Sequence, residues 1–296
     1  MSKESIGFIG LGAMGVGMAA NVIKNGYPLT VMGNKSREPI ERLVGMGATE
    51  VKTPAEVAAA SDIVILCVTT SEVVEQLVFG DNGLLAGAKK PFLLIDCGTS
   101  QPTSTKRIGA AMIEAGGGML DVPLGRTPDA AESGTLNMMA GGSEEDFNRA
   151  KPLLETMSEN LFHLGPLGTG HTIKLLNNSM SLSVAALTAE IVGTAKAAGI
   201  DLKQLHQVMS AGPNRSDIFD WVMASPLEGD EGKMAFSLSN GLKDIQYYLQ
   251  FAKDVKGHNT IATATESLMA PVVANGHGNE TIPALCRHVP DGAKSS

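Results

Sequence analysis

Lys174, Asn177, Asn178 and Ser181 stand at i, i+3, i+4 and i+7, the spacing that places side chains on one face of an α-helix. Leu175, Leu176, Leu182 and Val184 fall on the other faces. Adjacent asparagines are poor choices for a helix interior, and a solvent-facing stripe usually carries Glu and Lys. The row therefore reads as one that projects into a cleft; a solvated surface face is the bland alternative. The chemistry on offer is proton supply. Reduction of a carbonyl by hydride leaves an alkoxide that needs a proton at once. A lysine ammonium stabilises the developing charge and donates that proton, typically worth about 10²–10⁴-fold in rate. Asn177 then hydrogen-bonds the substrate or holds the ammonium, and Ser181 reaches the far end of a short substrate.

Such a reaction needs a seat for a hydride donor, and the chain opens with one. Gly7-Phe8-Ile9 is a short apolar run leading into the G-x-G-x-x-G turn Gly10-Leu11-Gly12-Ala13-Met14-Gly15, and a helical stretch follows. Gly10 makes the tight bend, Gly12 leaves space for a pyrophosphate, and Gly15 lets helix and strand pack closely. The N–H groups and positive dipole of the new helix hold the negative charge. After the second strand, Leu29–Met32, the sequence reads Gly33-Asn34-Lys35-Ser36-Arg37, with no acid before Glu38. An acidic residue there would take the ribose hydroxyls of NAD and repel a 2′-phosphate. Two cations and a hydroxyl suit the phosphate instead, so the local chemistry favours NADP over NAD; a generic basic turn is the other reading.

The elements that position these groups follow from periodicity. Ile6–Ile9, Leu29–Met32, Ile63–Val68, Phe92–Asp96, Gly118–Val122, Leu136–Ala140 and Leu161–Leu164 read as strands, several of them continuous apolar runs buried on both faces. Helical stretches between them, such as Gly15–Asn25, Pro39–Met46 and Pro54–Ala60, predict an α/β Rossmann-type doubly wound sheet. From about Gly168 the strand pattern stops. A run over Thr172–Ala198 and later helical segments predict an all-α second domain. The expected division is 1–166, a dinucleotide-binding domain, 167–290, a helical substrate and oligomerisation domain, and 291–296, a disordered tail.

Composition bounds the function. The 296-residue chain carries a formal net charge of −8, which opposes binding to nucleic acid or an anionic membrane. No apolar run reads as a membrane span, and Met1-Ser2-Lys3-Glu4-Ser5 has no signal-peptide pattern, so a cytoplasmic protein is expected. Cys67, Cys97 and Cys286 fit no zinc spacing and read as buried thiols in a reducing compartment. The histidines show no metal-ligand spacing either, so no metal is expected. His171 reads as a helix cap more readily than as a residue that tunes the site.

Taken together, these motifs resemble the β-hydroxyacid dehydrogenase family, which includes 3-hydroxyisobutyrate dehydrogenases and tartronate semialdehyde reductases. Phe8–Asn21 resembles its amino-terminal signature, with Gly17 where proline is frequent. The family's D-x-P-V-S-G-G loop appears as Asp121-Val122-Pro123-Leu124-Gly125-Arg126-Thr127, and its K-x-x-N motif as Lys174-Leu175-Leu176-Asn177. Phe236-Ser237-Leu238 with Lys243-Asp244 resembles a late element whose lysine lies near the active site. The resemblance implies reversible hydride transfer at a short hydroxyacid, with Lys174 as general acid and base, and homodimers or homotetramers. It also implies cofactor contacts at Val68, Thr69, Thr99 and Lys243, although Thr99 reads equally well as a capping residue after a strand.

Arg126 is the departure. Its guanidinium adds donors suited to a larger oxyanion than a carboxylate. With Gly125, Thr127, Asn178 and Ser181 it is similar to the sulfolactaldehyde reductase branch, where these positions are associated with a substrate sulfonate. That branch leans towards NADH, in conflict with the basic turn at Asn34–Arg37. The alternatives are a carboxylate-only substrate (3-hydroxyisobutyrate, tartronate semialdehyde or succinic semialdehyde) or, in a different class, a non-catalytic dinucleotide-binding protein. Relatives of the second kind lose the lysine that this chain keeps.

Overall fold

The computed structural model describes residues 3–33, 36–89 and 91–289. The tail expected at 291–296 lies outside them. Two compact units emerge, Met1–Lys174 and Leu175–Ser296.

The first unit alternates strand and helix: β1 (Ile6–Ile9), α1 (Gly15–Lys24), β2 (Leu29–Met32), α2 (Glu38–Gly45), β3 (Thr49–Val51), α3 (Pro54–Ala59) and β4 (Ile63–Leu66). It continues with α4 (Ser71–Phe79), α5 (Leu84–Gly87), β5 (Leu93–Asp96), α6 (Pro102–Glu114) and β6 (Gly118–Asp121). The six strands form one parallel sheet in the order β3-β2-β1-β4-β5-β6. This is the doubly wound arrangement expected from the sequence, with its switch point between β1 and β4. Every residue of β1, β4, β5 and β6 is buried, as strands covered on both faces require. Phe8, Ile65, Leu93, Ile95 and Leu120 pack into one cluster and Ile9, Val64, Leu66 and Leu94 into another, so alternate residues serve opposite faces.

The chain then leaves that sheet. β7 (Leu124–Gly125), α7 (Pro128–Ser133), β8 (Leu136–Ala140), α8 (Glu144–Leu154) and β9 (Ser158–His163) build a separate three-stranded sheet, β7-β8-β9. The sequence pattern marks its two longer strands but not their separation from the main sheet. The reason is the tight reversal at Asp121–Gly125: β7 turns back antiparallel to β8, and a bridge between Asp121 and Gly141 closes the end of β6.

In the second unit α9 (Thr169–Ala197), which begins in the first, is followed by α10 (Leu202–Ser210), α11 (Asp217–Glu228), α12 (Leu238–Asp254) and α13 (Thr260–Val272). Leu182, Ala185, Ala189 and Val192 of α9 pack with Phe219, Val222 and Met223 of α11, Leu238 and Ile245 of α12, and Met269 of α13. By length and composition α9 is apolar enough to cross a bilayer, contrary to the sequence expectation. Half of its most apolar stretch is buried inside the protein, and core helices pass the same test for that reason.

Candidate active site

The glycine turn has the shape that its three roles demand. Gly10 has φ +100, and a Cβ there would sit 2.2 Å from the Cys67 carbonyl oxygen. A Cβ on Gly15 would sit 1.9 Å from the Gly10 oxygen. Gly12 differs: nothing lies within 4 Å of where its Cβ would be. The fold needs Gly10 and Gly15; the open space at Gly12 fits a ligand's approach. The first turn of α1 carries no acidic side chain, and its N-cap residue Met14 makes no side-chain capping bond. That helix end, with Ala13 and Met14 leading into it, suits a pyrophosphate. Gly12→Ala is expected to leave the melting temperature within a few degrees while weakening dinucleotide binding by about tenfold or more, read by fluorescence titration.

The other expected cofactor residues of this unit lie along the same sheet edge. Gly10–Gly15 follow β1, Ser36 and Arg37 follow β2, Val68 and Thr69 follow β4, and Thr99 follows β5. These strands are neighbours in the sheet, so the residues collect at its carboxyl end, where dinucleotides bind in open α/β folds. Asn34 and Lys35 lie outside the described residues. The Arg37 guanidinium reaches Glu50 of β3 at 2.5 and 3.0 Å, and Glu41 at 4.0 Å. Sequence reading missed Glu50, because only the β2–β3 pairing brings it to the end of β2.

Asp96, at the end of β5, shapes the turn that carries Thr99. Its Oδ1 accepts the Gly98 N–H at 2.9 Å and its Oδ2 the Ser100 hydroxyl at 2.8 Å. At the end of β6, Asp121 accepts the backbone N–H groups of Gly168 and His171, each at 2.7 Å. The cap at the start of α9 is therefore Asp121. His171, expected to be that cap, instead buries its ring in the first unit. Burial pushes the Asp121 carboxyl above its usual range, opposed by His171 and the two N–H donors.

On α9, Lys174 is half-buried and Asn177 exposed one turn later. Asn178 is buried: its Nδ2 donates to Asp244 Oδ2 at 2.6 Å, and its Oδ1 accepts from Asn177 Nδ2 at 3.3 Å. The expected substrate amide at 178 is thus engaged inside the protein. Asp244, buried on α12, also sits 3.0 Å from Lys243 Nζ. The sequence could not reveal this Asn178–Asp244 bond across 66 residues. Ser181 is half-buried on the next turn of α9.

The substrate loop holds its arginine in an unusual way. Arg126 has φ +79, a left-handed backbone where the family's loop has glycine. Its Nη1 donates to the Thr135 carbonyl at 2.7 Å and pairs with Glu159 of β9. Gly125 is half-buried in β7, and Thr127 is the exposed N-cap of α7.

Among the described residues, His277, Glu280 and His288 offer three metal-type ligand atoms within 4.8 Å of one another, a cluster invisible in sequence spacing. Glu280 already accepts from His288 and His277, each at 2.8 Å, and from Arg287 at 2.9 Å. The two histidine bonds hold its carboxyl below the usual range. A guanidinium on the carboxylate opposes a second cation there.

Comparison with known proteins fits this geometry. Residues 5–165 match the NAD binding domain of 6-phosphogluconate dehydrogenase, and residues 168–289 match the NAD-binding domain of NADP-dependent 3-hydroxyisobutyrate dehydrogenase. The chain belongs to the 3-hydroxyisobutyrate dehydrogenase family. It is an NAD(P)-dependent hydroxyacid dehydrogenase. It is 32% identical to 3-sulfolactaldehyde reductase of Escherichia coli over 285 residues, covering 96% of this chain and 95% of that one. It is also 32% identical to 2-hydroxy-3-oxopropionate reductase of the same organism, covering 92% of each. Its fold matches Mycobacterium tuberculosis 3-hydroxyisobutyrate dehydrogenase with L-serine, with TM-score 0.85 and 23% identity over 98% of this chain and 99% of that one.

Proposed function

We propose that this hydroxyacid dehydrogenase reduces a short anionic aldehyde bearing a sulfonate, 3-sulfolactaldehyde to 2,3-dihydroxypropane-1-sulfonate, with NADPH. When bound, the nicotinamide would supply a hydride, a proton with two electrons, for the carbonyl carbon. Lys174 stabilises the oxygen as it gains charge and donates the proton that completes the alcohol. Asn177, whose amide N–H donates to Asn178, keeps its carbonyl oxygen to steady the ammonium or a substrate hydroxyl. The observation that carries the sulfonate is Arg126, held at a backbone angle that favours glycine. Glu159 and the Thr135 carbonyl engage Nη1, leaving Nε and Nη2 as donors for an oxyanion. Similarity to the E. coli sulfolactaldehyde reductase over nearly the whole chain supports the same substrate.

The test is kcat/KM for sulfolactaldehyde against 3-hydroxyisobutyrate, tartronate semialdehyde and succinic semialdehyde. A carboxylate preference overturns the sulfonate reading. That second reading draws on the engagement of Arg126 by Glu159 and of Asn178 by Asp244, which leaves fewer groups for a large oxyanion.

NADPH is favoured because no acid follows β2 before Glu38, while Ser36 and Arg37 are both exposed there. A 2′-phosphate must draw Arg37 from Glu50. Arg37→Ala is expected to lower kcat/KM with NADPH about tenfold and to leave NADH nearly unchanged. Equal loss with both cofactors overturns this assignment.

A homo-oligomer and a reducing, cytoplasmic setting complete the proposal. Leu176, Met180 and Leu187 on α9 and Ile261 on α13 are large, exposed and apolar, and all line one hollow in the second unit. Such a patch suits a second copy. Met180→Glu with Leu187→Glu is expected to reduce the mass seen by light scattering to that of the 30.8 kDa chain. All three cysteines are free thiols, and burial pushes Cys67 up to about 12.

A further inference from the structure

His171 is fully buried in the first unit between two buried carboxylates, and the reduction chemistry does not use it. The Thr105 hydroxyl donates to the Gln101 carbonyl at 3.1 Å and meets His171 Nδ1 at 2.7 Å. At 2.7 Å the hydroxyl and Nδ1 are hydrogen-bonded, whichever of the two donates. Nδ1 also lies 3.8 Å from Asp121 Oδ2. On the other side of the ring, Nε2 faces Asp96 Oδ2 at 3.7 Å without a hydrogen bond. An imidazole with an unpartnered buried nitrogen costs free energy that an apolar side chain would not. Packing alone therefore gives no reason for a histidine at this position.

What the ring touches supplies one. Asp96 folds the turn that carries Thr99, and Asp121 receives the N–H groups of Gly168, just before α9, and of His171 in its first turn. The helix start is pressed against the end of the sheet: a Cβ on Gly170 would lie 2.3 Å from the Met139 oxygen and 2.7 Å from the Asp121 oxygen. Lys174 follows His171 by three residues, one turn along the same helix.

We propose that His171 is a positioning residue for Lys174: its ring, hydrogen-bonded to Thr105 and wedged between Asp96 and Asp121, sets where the ammonium stands relative to the turn carrying Thr99. This rests on the general-acid reading of Lys174. A displacement of about 1 Å in such a group lowers turnover about 10²-fold.

The test is steady-state kinetics of the full-length enzyme with NADPH and its best aldehyde. Thr105→Val removes the Nδ1 partner, while the Gln101 carbonyl keeps its bond from the Thr105 backbone N–H, and is expected to lower kcat about tenfold, with KM and NADPH affinity held within about threefold. His171→Leu is expected to lower kcat about 100-fold, and His171→Asn, which keeps a polar group in the space, to recover about tenfold of that. On a Lys174→Ala background His171→Leu should cost less than about threefold more, because the ring acts through the missing ammonium. A purely structural histidine would give the same loss on both backgrounds, and that result overturns the proposal. So does unchanged kcat in a folded Thr105→Val enzyme, which decides the matter if His171→Leu does not fold. Full activity in Lys174→Ala would instead sink the general-acid reading itself.

Discussion

Lys174→Ala is expected to lower kcat by about 10³-fold while leaving NADPH affinity within about threefold. Cofactor binding and proton supply are separate tasks that the chain assigns to different places. The groups suited to the pyrophosphate are the Gly10–Gly15 turn and the start of α1, and the other expected nucleotide contacts of the first unit follow β2, β4 and β5. Lys174 stands on α9, and its replacement leaves each of those groups in the chain. The proton for the alkoxide then has to come from water, without a fixed positive charge beside the oxygen. Both deficits fall on the transition state and neither on the bound cofactor, so the loss appears in kcat. Lys174→Arg separates them further. It keeps the charge but is a far weaker acid, so it should recover charge stabilisation and little proton transfer. Stopped-flow hydride transfer at saturating NADPH reads the step directly. Wild-type turnover in Lys174→Ala would remove the general-acid role.

What the sequence disclosed and what it hid follow one physical division. The glycine turn, β2 and β8 were legible because their constraints are local: turn geometry, or short apolar and alternating runs ended by glycine. β3 was not, because Thr49-Glu50-Val51 has three residues, two of them exposed, and forms only by pairing beside β2. The stripe on α9 was legible as a helix face, since α9 runs unbroken from Thr169 to Ala197. Its internal division was hidden: Asn177 is exposed, whereas Asn178 turns inward to a carboxylate 66 residues away. The same holds for Asp121. As a sequence letter it belongs to the substrate loop, while in the fold its carboxylate caps a helix that begins 48 positions later. Through-space partners of this kind leave no periodic trace, so the sequence alone points to His171 as the cap.

Arg126→Gly is the substitution in which stability and specificity should part. With φ +79, Arg126 holds a conformation that costs a non-glycine residue roughly 1 kcal/mol, which glycine relieves. Against this stands the pair with Glu159, in which both side chains are more than a third exposed, so its worth is about 0–1 kcal/mol after solvent screening. The two nearly cancel, and the melting temperature should hold within a few degrees or rise. The effect on catalysis points elsewhere. A charge-assisted bond to a substrate oxyanion is worth about 1.5–3 kcal/mol, so the sulfonated aldehyde should lose about 10- to 100-fold in kcat/KM. Carboxylate substrates, for which the family's loop uses small residues, should lose much less. A guanidinium that only ties the loop to Thr135 and Glu159 would behave in the opposite way, lowering the melting temperature and weakening every substrate in proportion. The ratio of kcat/KM for the two substrate classes, measured beside a thermal melt of the same preparation, therefore distinguishes an anion receptor from a loop clamp.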